Sequence, residues 1–304
     1  MKPTKLVIAA GTGFLGQVLT GYFTNQFDEI VILTRGERKT VGHIRYVHWD
    51  AKTMTGWEHE LENADVLINL AGKSVDCRYT QANKNEILRS RTDSTAVLNM
   101  AVLCCQHPPK HWLNSSTATI YKSSFLTTND EPTGEIGDDF SMNVAKEWEK
   151  EFFGTKTPKT LKTALRTSIV LGKKGGAFLP LKNLVKFGLG GKQGTGRQFV
   201  SWIHERDFAR AVDFIIRHQI IGVVNIVAPK PIRNADFMKA LRRALHVPTG
   251  IPIGKKLLEF GAKIIGTETE LVLKSRNVVP KRLMENGFTY QFGTPEKAFE
   301  NLTR

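Results

Sequence analysis

Cysteine is scarce in this chain of 304 residues: there are only three, and two of them, Cys104 and Cys105, are adjacent. Neither a disulfide framework nor a Cys-x-x-Cys metal site can be built from Cys77 and that adjacent pair. We therefore expect a reducing compartment. Because Cys104 and Cys105 end an apolar helical segment, we interpret them as small buried hydrophobic residues rather than as reactive thiols.

Long hydrophobic runs are also lacking. No apolar run approaches the roughly eighteen residues that a membrane helix needs, and the first apolar run is soon broken by glycine. With 41% hydrophobic and 24% charged residues, the composition is that of an ordinary globular protein. The pattern predicts a cytoplasmic protein with no membrane partner.

Acidic residues are outnumbered, since 29 Asp and Glu stand against 43 Lys and Arg, for a formal net charge of +14. Such a bias suits an anionic ligand or a nucleic acid. The basic residues are scattered, however, and no short basic block is interleaved with aromatic residues as single-strand binders require. We therefore expect a small anionic partner, and nucleic acid is an unlikely one.

The stretch Val7–Gly16 contains an apolar strand, the sequence Gly-Thr-Gly-Phe-Leu-Gly and the start of a helix predicted over residues 14–26. This arrangement presents backbone N–H groups and a helix N-terminus to a dinucleotide pyrophosphate. Similar turns also occur in proteins that bind nothing, so the rest of the sequence must show whether this turn binds a cofactor. The predicted contacts are Gly11, Thr12, Gly13, Phe14, Leu15 and Gly16.

A second apolar strand, residues 29–34, ends at Thr34 and Arg35. In a dinucleotide-binding fold an acid at this strand end bonds the ribose 2′-hydroxyl, whereas an arginine accommodates a 2′-phosphate. Thr34 and Arg35, with Arg38 and Lys39 close by, therefore predict NADP(H) as the cofactor. The alternative is a solvated arginine at a strand end.

Strands and helices alternate along the rest of the chain, which predicts an α/β fold with a doubly wound parallel sheet and a ligand at the strands' carboxyl ends. A small-residue turn at Leu70, Ala71 and Gly72 follows one strand and is a further predicted cofactor contact. The predicted strands are 43–49, 65–72, 111–114, 166–172, 199–204, 222–228 and 288–292, and the predicted helices are 79–106, 179–187 and 206–218, with further helix from 234 to 304.

Four segments, Ala10–Gly16, Leu67–Gly72, Ser115–Tyr121 and Gly194–Asp207, resemble in order and spacing the extended short-chain dehydrogenase/reductases. More narrowly, the chain resembles their "epimerase family" branch, on the motifs 84–95, 148–149, 166–172 and 188–196. The resemblance implies an NADP-binding Rossmann domain over residues 1–230, with a substrate-loop insertion at 173–200. It also implies a mainly helical C-terminal lobe over 231–304, similar to the branch's domain of unknown function.

The resemblance also implies roles for individual residues. Thr117 falls on the superfamily's Ser/Thr position, where a hydroxyl polarises a carbonyl. Tyr121 is the only tyrosine that we expect to reach a substrate beyond that strand end. Glu86 and Arg91 belong to a motif that lies beside the cofactor in the branch. The fixed charge of Arg91 suits contact with a phosphate or carboxylate rather than proton exchange.

Two departures from the superfamily pattern concern the cofactor turn and the catalytic pair. Ala9 and Ala10 stand where the turn commonly begins with Thr-Gly. Phe140 and Val144 stand where the superfamily has a catalytic tyrosine and, four residues on, the lysine that lowers its pKa. No tyrosine in the sequence is followed by a lysine four residues later.

A glycine-rich, locally basic loop between residues 188 and 196 corresponds to the region with which extended members hold the anionic part of the substrate. Arg197 is the leading substrate anchor, with Gln198 beside it, and a basic surface loop without a specific ligand is the alternative. His204 completes the predicted substrate-binding set, and we expect it to have a positioning role rather than to bind a metal, because no other histidine or cysteine has metal-ligand spacing to it. No metal site is predicted.

Two functions follow from these features. The first is an NADP(H)-dependent oxidoreductase, or an epimerase or dehydratase, that acts on a small anionic substrate through Thr117 and Tyr121. The second is a cofactor-bound sensor or interaction protein without catalysis, for which Phe140 and Val144 argue.

Overall fold

A computed structural model describes residues 4–259 and 268–304, and its centre is an eight-stranded sheet. All neighbouring strands are parallel except at one edge, where β3 runs antiparallel to β4. The strands are β1 (Lys5–Ala9), β2 (Glu29–Thr34), β3 (Lys39–Val41), β4 (Ile44–His48), β5 (Val66–Asn69), β6 (His111–Thr117), β7 (Leu161–Thr167) and β12 (Gly222–Ile226). Their order is β12-β7-β6-β5-β1-β2-β4-β3.

Both faces of this sheet are covered, as the alternation along β1 shows. Leu6 and Ile8 belong to one buried cluster, whereas Val7 and Ala9 belong to another. Helices α1 (Phe14–Phe23) and α5 (Glu205–Arg217) contribute to the first cluster, and α2 (Gln81–Cys104) and α3 (Phe140–Gly154) to the second. Since a strand buried on both faces has no polar side, the near-continuous apolar runs in the sequence are explained.

A smaller core lies in the second half of the chain. This half of the chain also contains a three-stranded sheet, a two-stranded sheet and short helices, of which the helix that carries Leu283 packs on the first cluster instead. These elements are β8 (Ile169–Gly172), β9 (Gly175–Gly176), α4 (Phe178–Lys186), β10 (Phe199–Val200), β11 (Trp202–His204), β13 (Ile232–Arg233), α6 (Asn234–Ala244), α7 (Glu270–Leu273), α8 (Lys281–Glu285) and α9 (Pro295–Thr303). This core draws on Phe178 and Trp202 as well as on Phe237 and Phe299, and the division of the chain at residue 230 stays a prediction.

The predicted α/β fold with a parallel sheet is confirmed, and three element predictions are corrected. The predicted strand 199–204 is two strands, β10 and β11, which belong to different sheets. The predicted strand 166–172 is likewise divided between β7 and β8. Residues 288–292 form no strand, because the backbone N–H groups of Gln291 and Phe292 donate to the buried carboxylate of Asp207, at 3.0 and 2.7 Å, instead of to a neighbouring strand.

The cysteine interpretation also needs correction. Cys104 is exposed at the end of α2, and Cys105 is half-buried with its thiol 3.3 Å from the Ala101 carbonyl oxygen. Cys105 still packs against the second cluster, so only the exposed Cys104 departs clearly from the interpretation as a buried residue. Part of the predicted C-terminal helical region, residues 260–267, lies outside the described residues.

Candidate functional site

The turn between β1 and α1 has the geometry of an anion cradle. A Cβ atom on Gly16 would lie 2.2 Å from the Gly11 carbonyl oxygen, so only glycine allows α1 to pack this closely. Gly13 is the N-cap of α1, and a Cβ atom there would meet nothing within 4 Å. The first turn of α1 has no acidic residue and no side-chain cap, so its N–H groups and the positive end of the helix dipole are left for an anion.

The other residues of the turn flank this cradle. Thr12 is exposed, and its carbonyl oxygen accepts a hydrogen bond from the Gln17 side chain at 3.1 Å. Phe14 and Leu15 are half-buried and pack on the core. Ala10, which stands at a position usually held by glycine, has a φ of 57°. The left-handed backbone of the usual turn is therefore kept although an L-residue adopts it at a cost of about 1 kcal/mol.

Arg35 follows β2 directly, at the same edge of the sheet as the cradle, since β1 and β2 pair in parallel. Thr34 is buried, and its hydroxyl accepts a hydrogen bond from the Gly36 N–H group at 3.2 Å. The Arg35 side chain is exposed and makes no hydrogen bond or ion pair within residues 4–259 and 268–304. It is therefore available to a ligand that lies along the end of β2.

The turn after β5, residues 70–72, is fixed by a buried amide network. Asn69 donates to the Asn114 side chain at 2.8 Å and accepts from the Ala71 N–H group at 3.0 Å. Leu70 is half-buried, Ala71 is buried and Gly72 is exposed. The network ties the carboxyl ends of β5 and β6 together, one strand away from the cradle.

Arg91 projects from α2 onto this turn, where its guanidinium carbon would lie 3.1 Å from a Cβ atom on Gly72. It donates to the carbonyl oxygens of Lys73 and Ile87 at 3.0 and 2.9 Å and lies 5.1 Å from the centre of the Trp148 ring. Burial lowers the pKa of Arg91 to about 10. No carboxylate pairs with it among the residues that the structure describes, so its charge is uncompensated.

Glu86, in contrast, is mostly exposed and forms an ion pair with Lys73. The Lys73 ammonium group also donates to the Asn83 side chain at 3.0 Å. This pair lies beside the turn that Arg91 contacts. A contact between Glu86 and the cofactor stays a prediction.

Thr117 is the last residue of β6 and is half-buried. Its hydroxyl oxygen accepts a hydrogen bond from the Thr119 N–H group at 3.1 Å. Since that bond uses only a lone pair, the hydroxyl proton is left to donate to a ligand oxygen.

Tyr121 does not lie where we expected it. It is 1% exposed, and its hydroxyl group donates to Asn225 at 3.0 Å and accepts from Arg166 at 2.8 Å. Arg166 in turn forms a two-point ion pair with Glu149, whose carboxylate also accepts from the Ser116 hydroxyl at 2.6 Å. The expectation that Tyr121 reaches a substrate is therefore wrong for this structure, because its hydroxyl is committed inside a buried network.

Phe140 and Val144, which we expect at the positions of the usual tyrosine and lysine, lie on α3. Phe140 begins α3, and Val144, one turn later, is buried. Two residues from the neighbouring segment contact the Phe140 ring: the Tyr79 ring at a centroid distance of 5.0 Å and the Lys84 ammonium nitrogen at 5.3 Å. The site thus lacks a tyrosine on α3 but has a cation beside the vacated position.

The predicted substrate residues do not all face the same way. Arg197 is exposed, whereas Gln198 and His204 are buried. The Gln198 amide donates to the carbonyl oxygens of Gln193 and Val272 at 2.8 and 3.2 Å. His204 caps α5 by accepting from the Arg206 N–H group at 3.0 Å, and burial lowers its pKa to about 4.

Of these three residues, only Arg197 is therefore placed to meet a ligand. Gln198 and His204 hold the loop and the helix that flank it. The positioning role expected for His204 agrees with its place at the α5 N-terminus. No group of three or more metal-ligating side chains occurs within the described part of the chain.

Lys84 is the site residue whose role the sequence concealed. It lies on α2 seven residues before Arg91, a spacing that puts both cations on one helix face. The spacing between the two cations is visible in the sequence. The contact between Lys84 and Phe140 is not, because it depends on how α2 packs against α3.

Comparison with known proteins gives matches along the whole chain. Residues 6–139 match the NAD dependent epimerase/dehydratase family, and residues 259–302 match a domain of unknown function, DUF1731. The chain is 34% identical over 300 residues to the epimerase family protein YfhF of Bacillus subtilis, and the matched region covers 98% of this chain and 97% of that protein. It is 32% identical over 305 residues to the epimerase family protein SH2119 of Staphylococcus haemolyticus, with 98% of each covered.

Solved structures give the same result. The human epimerase family protein SDR39U1, crystallised with NADPH, superposes with a TM-score of 0.87 at 27% identity over 99% of both chains. A nucleoside-diphosphate sugar epimerase from Corynebacterium glutamicum superposes with a TM-score of 0.79 at 27% identity, covering 99% of this chain and 58% of that one. These matches agree with the resemblance that the sequence motifs indicated. No helix among the described residues is long and apolar enough to cross a membrane.

Proposed function

The chain belongs to the epimerase family of NAD-dependent epimerase/dehydratases, and on that premise we propose that it is an NADP(H)-dependent oxidoreductase, or an epimerase or dehydratase that oxidises its substrate transiently. Its substrate is a small anionic molecule. The observation that best supports this proposal is that three groups lie at one edge of the sheet. The α1 N-terminus, the Arg91 guanidinium and the Thr117 hydroxyl lie at the carboxyl ends of the adjacent strands β1, β5 and β6, respectively.

The residues at this edge fit a dinucleotide. The unpaired N–H groups of the first turn of α1, with open space in front of Gly13, suit the pyrophosphate. Arg35 suits a 2′-phosphate, because its side chain is exposed and lacks a protein partner among the described residues. When bound, NADP(H) supplies or accepts the hydride.

Thr117 is the side chain that acts on the reacting oxygen. Its proton is free to donate, because the hydroxyl oxygen accepts from the Thr119 N–H group. A threonine hydroxyl polarises a carbonyl but does not release its proton at neutral pH, so water delivers the proton that the product needs. Tyr121 takes no part, since Asn225 and Arg166 occupy its hydroxyl.

The anionic groups of cofactor and substrate are held by cations that have no carboxylate partner among the described residues. Arg91 faces the cofactor, and its partial burial makes an anion more favourable there than at the open surface. Lys84 and Arg197 hold the anionic part of the substrate, and neither forms an ion pair within residues 4–259 and 268–304. Together they account for an anionic substrate without a catalytic lysine on α3.

The proposal is tested by mixing the protein and NADPH with a panel of carbonyl compounds and nucleotide sugars while nicotinamide absorbance is followed. We expect at least one anionic member to oxidise the cofactor. Thr117→Val should remove most of that turnover and leave the NADPH affinity unchanged, whereas the matched variant Thr119→Val should keep both. Full turnover by Thr117→Val would refute the role of its hydroxyl.

A second candidate function is a sensor that binds NADP(H) without catalysis, and the apolar Phe140 and Val144 favour it. A sensor should bind NADPH and NADP⁺ with clearly different protection of amide hydrogens from exchange, and no member of the panel should oxidise the bound cofactor. One productive substrate would eliminate this candidate.

A further inference from the structure

Three large apolar side chains are exposed on two neighbouring segments in the second half of the chain. Phe187, the residue that follows α4, is 80% exposed. Ile251 and Leu257 are 62% and 55% exposed. Exposed apolar residues that occur singly need no explanation, but a group of them on one surface marks an interaction site.

These residues belong to one surface because two segments of backbone are paired there. The Ile251 N–H group donates to the Gly188 carbonyl oxygen at 2.8 Å, and the Gly191 N–H group donates to the Ile251 carbonyl oxygen at 3.1 Å. The Ile253 N–H group donates to the Lys192 carbonyl oxygen at 3.0 Å, and the Ile253 side chain is buried. The start of the segment 251–257 therefore lies directly against the residues that follow α4.

The charge on this surface is mostly positive. The sequence contains no Asp or Glu from residue 173 to 204 or from 237 to 258. Four exposed lysines lie among the apolar residues, and we call the combined set the basic apolar face. Within the described ranges, only Lys255 has a carboxylate partner, Glu259 at 3.8 Å. The lysines are Lys186, Lys192, Lys255 and Lys256.

We propose that the basic apolar face docks onto an anionic lipid surface. Exposed Phe, Leu and Ile side chains enter the boundary between headgroups and acyl chains, while lysines beside them contact the lipid phosphates. A protein partner fits less well, because protein interfaces are depleted in lysine and enriched in arginine, tyrosine and tryptophan. This binding requires no spanning helix, whereas the expectation of no membrane partner rested on spanning segments alone.

The surface is independent of the proposed catalytic role, because it includes neither Thr117 nor Arg91. The full-length protein should co-sediment with vesicles that contain phosphatidylglycerol and phosphatidylcholine, and not with phosphatidylcholine alone. Added salt should release it. The triple variant Lys186→Glu, Lys255→Glu, Lys256→Glu should bind the anionic vesicles roughly tenfold or more weakly.

The apolar contribution is tested by Phe187→Ser, which should also reduce binding while the cofactor affinity and the melting temperature stay unchanged. Two matched controls lie elsewhere: Leu126→Ser, at a side chain that is 93% exposed, and the pair Lys156→Glu, Lys159→Glu at exposed lysines. Both controls should bind vesicles like the parent protein.

Three results would overturn the proposal. The first is equal sedimentation with neutral and anionic vesicles, and the second is an equal loss of binding in the controls. The third is a dimer in sedimentation equilibrium that Phe187→Ser dissociates, since a second copy of the chain would then cover the face.

Discussion

The guanidinium carbon of Arg91 lies 3.1 Å from the point that a Cβ atom on Gly72 would occupy, so the glycine leaves room for the arginine. The contact joins α2 to the turn after β5 at the edge where the cofactor cradle lies. The charge of Arg91 is balanced by carbonyl oxygens only, and no carboxylate pairs with Arg91 in the described part of the chain. A half-buried cation without a counter-ion costs stability in the free protein and is explained by an anionic ligand.

Replacing Arg91 should therefore weaken NADPH binding without lowering the stability of the free protein. Arg91→Met keeps the stem that packs near Trp148 and removes the charge. We expect the dissociation constant for NADPH, measured by titration calorimetry, to rise roughly tenfold, which corresponds to one lost charge-assisted hydrogen bond. The melting temperature of the free protein should stay the same or rise.

The matched control is Arg89→Met, because Arg89 is exposed on the same helix and makes no ion pair among the described residues. It should leave the affinity unchanged. Gly72→Ala should weaken binding in the same direction as Arg91→Met, since the added methyl group displaces the guanidinium. NADPH affinity that is unaffected by Arg91→Met would remove Arg91 from the binding site.

The two glycines of the cradle should respond differently to alanine. At Gly16 a methyl group meets the Gly11 carbonyl oxygen at 2.2 Å, so we expect a loss of about 1–3 kcal/mol in the free energy of unfolding. At Gly13 the methyl group meets no protein atom within 4 Å, and the φ of −74° suits alanine. Gly13→Ala should fold normally and still lose roughly tenfold or more in NADPH affinity, because the methyl group occupies the phosphate's approach.

Urea unfolding and NADPH titration of both variants test this contrast. A Gly13→Ala protein that binds NADPH like the parent would contradict the assignment of the cradle. The variant Ala10→Gly serves as the third member of the set. It relieves the positive φ of 57° and should keep the affinity and not reduce stability.

Tyr121→Phe should act on stability. The substitution leaves Asn225 and Arg166 without a buried hydroxyl partner, so we expect a loss of about 1–3 kcal/mol in the free energy of unfolding. NADPH affinity and turnover should stay within about twofold of the parent protein. Turnover that falls sharply while stability is unchanged would restore Tyr121 to the mechanism.

His204 should make stability depend on pH. Burial lowers its pKa to about 4, below the ordinary value of about 6.5 in the unfolded chain. The unfolded state therefore binds the proton first, so this contribution to stability is complete above pH 6.5 and is lost as the pH falls from about 6.5 to about 4. At about pH 5 the loss amounts to about 2 kcal/mol.

His204→Asn isolates this effect, since asparagine also caps helices but does not titrate. Free energies of unfolding measured near neutral pH and near pH 5 should fall less for the variant than for the parent protein. An equal fall in both proteins would show that His204 does not titrate in this range.

Local signals in the sequence were enough to predict the parallel sheet and the cradle. The apolar run before Gly11, the glycine spacing and the arginine after Thr34 all act within one strand, turn and helix, so their consequences are readable along the chain. The absence of a tyrosine and lysine pair at Phe140 and Val144 stays a prediction.

The sequence could not show which way a side chain faces at a strand end. Tyr121 and Gln198 follow polar, loop-like segments, yet the hydrogen bonds that they donate to Asn225 and Val272 place both in the interior. The prediction of a strand at 288–292 is wrong for a similar reason. The carboxylate of Asp207, far away in the sequence, accepts hydrogen bonds from the N–H groups of Gln291 and Phe292. Contacts of this kind carry no local periodicity.

The central claim, that this site is built for NADP(H), is tested most directly by the affinities of the parent protein and of Arg35→Ala for NADPH and NADH. If Arg35 binds the 2′-phosphate, the parent protein binds NADPH much more tightly than NADH, and Arg35→Ala largely removes the difference by weakening NADPH alone. Equal affinities of the parent protein for the two cofactors would contradict the account.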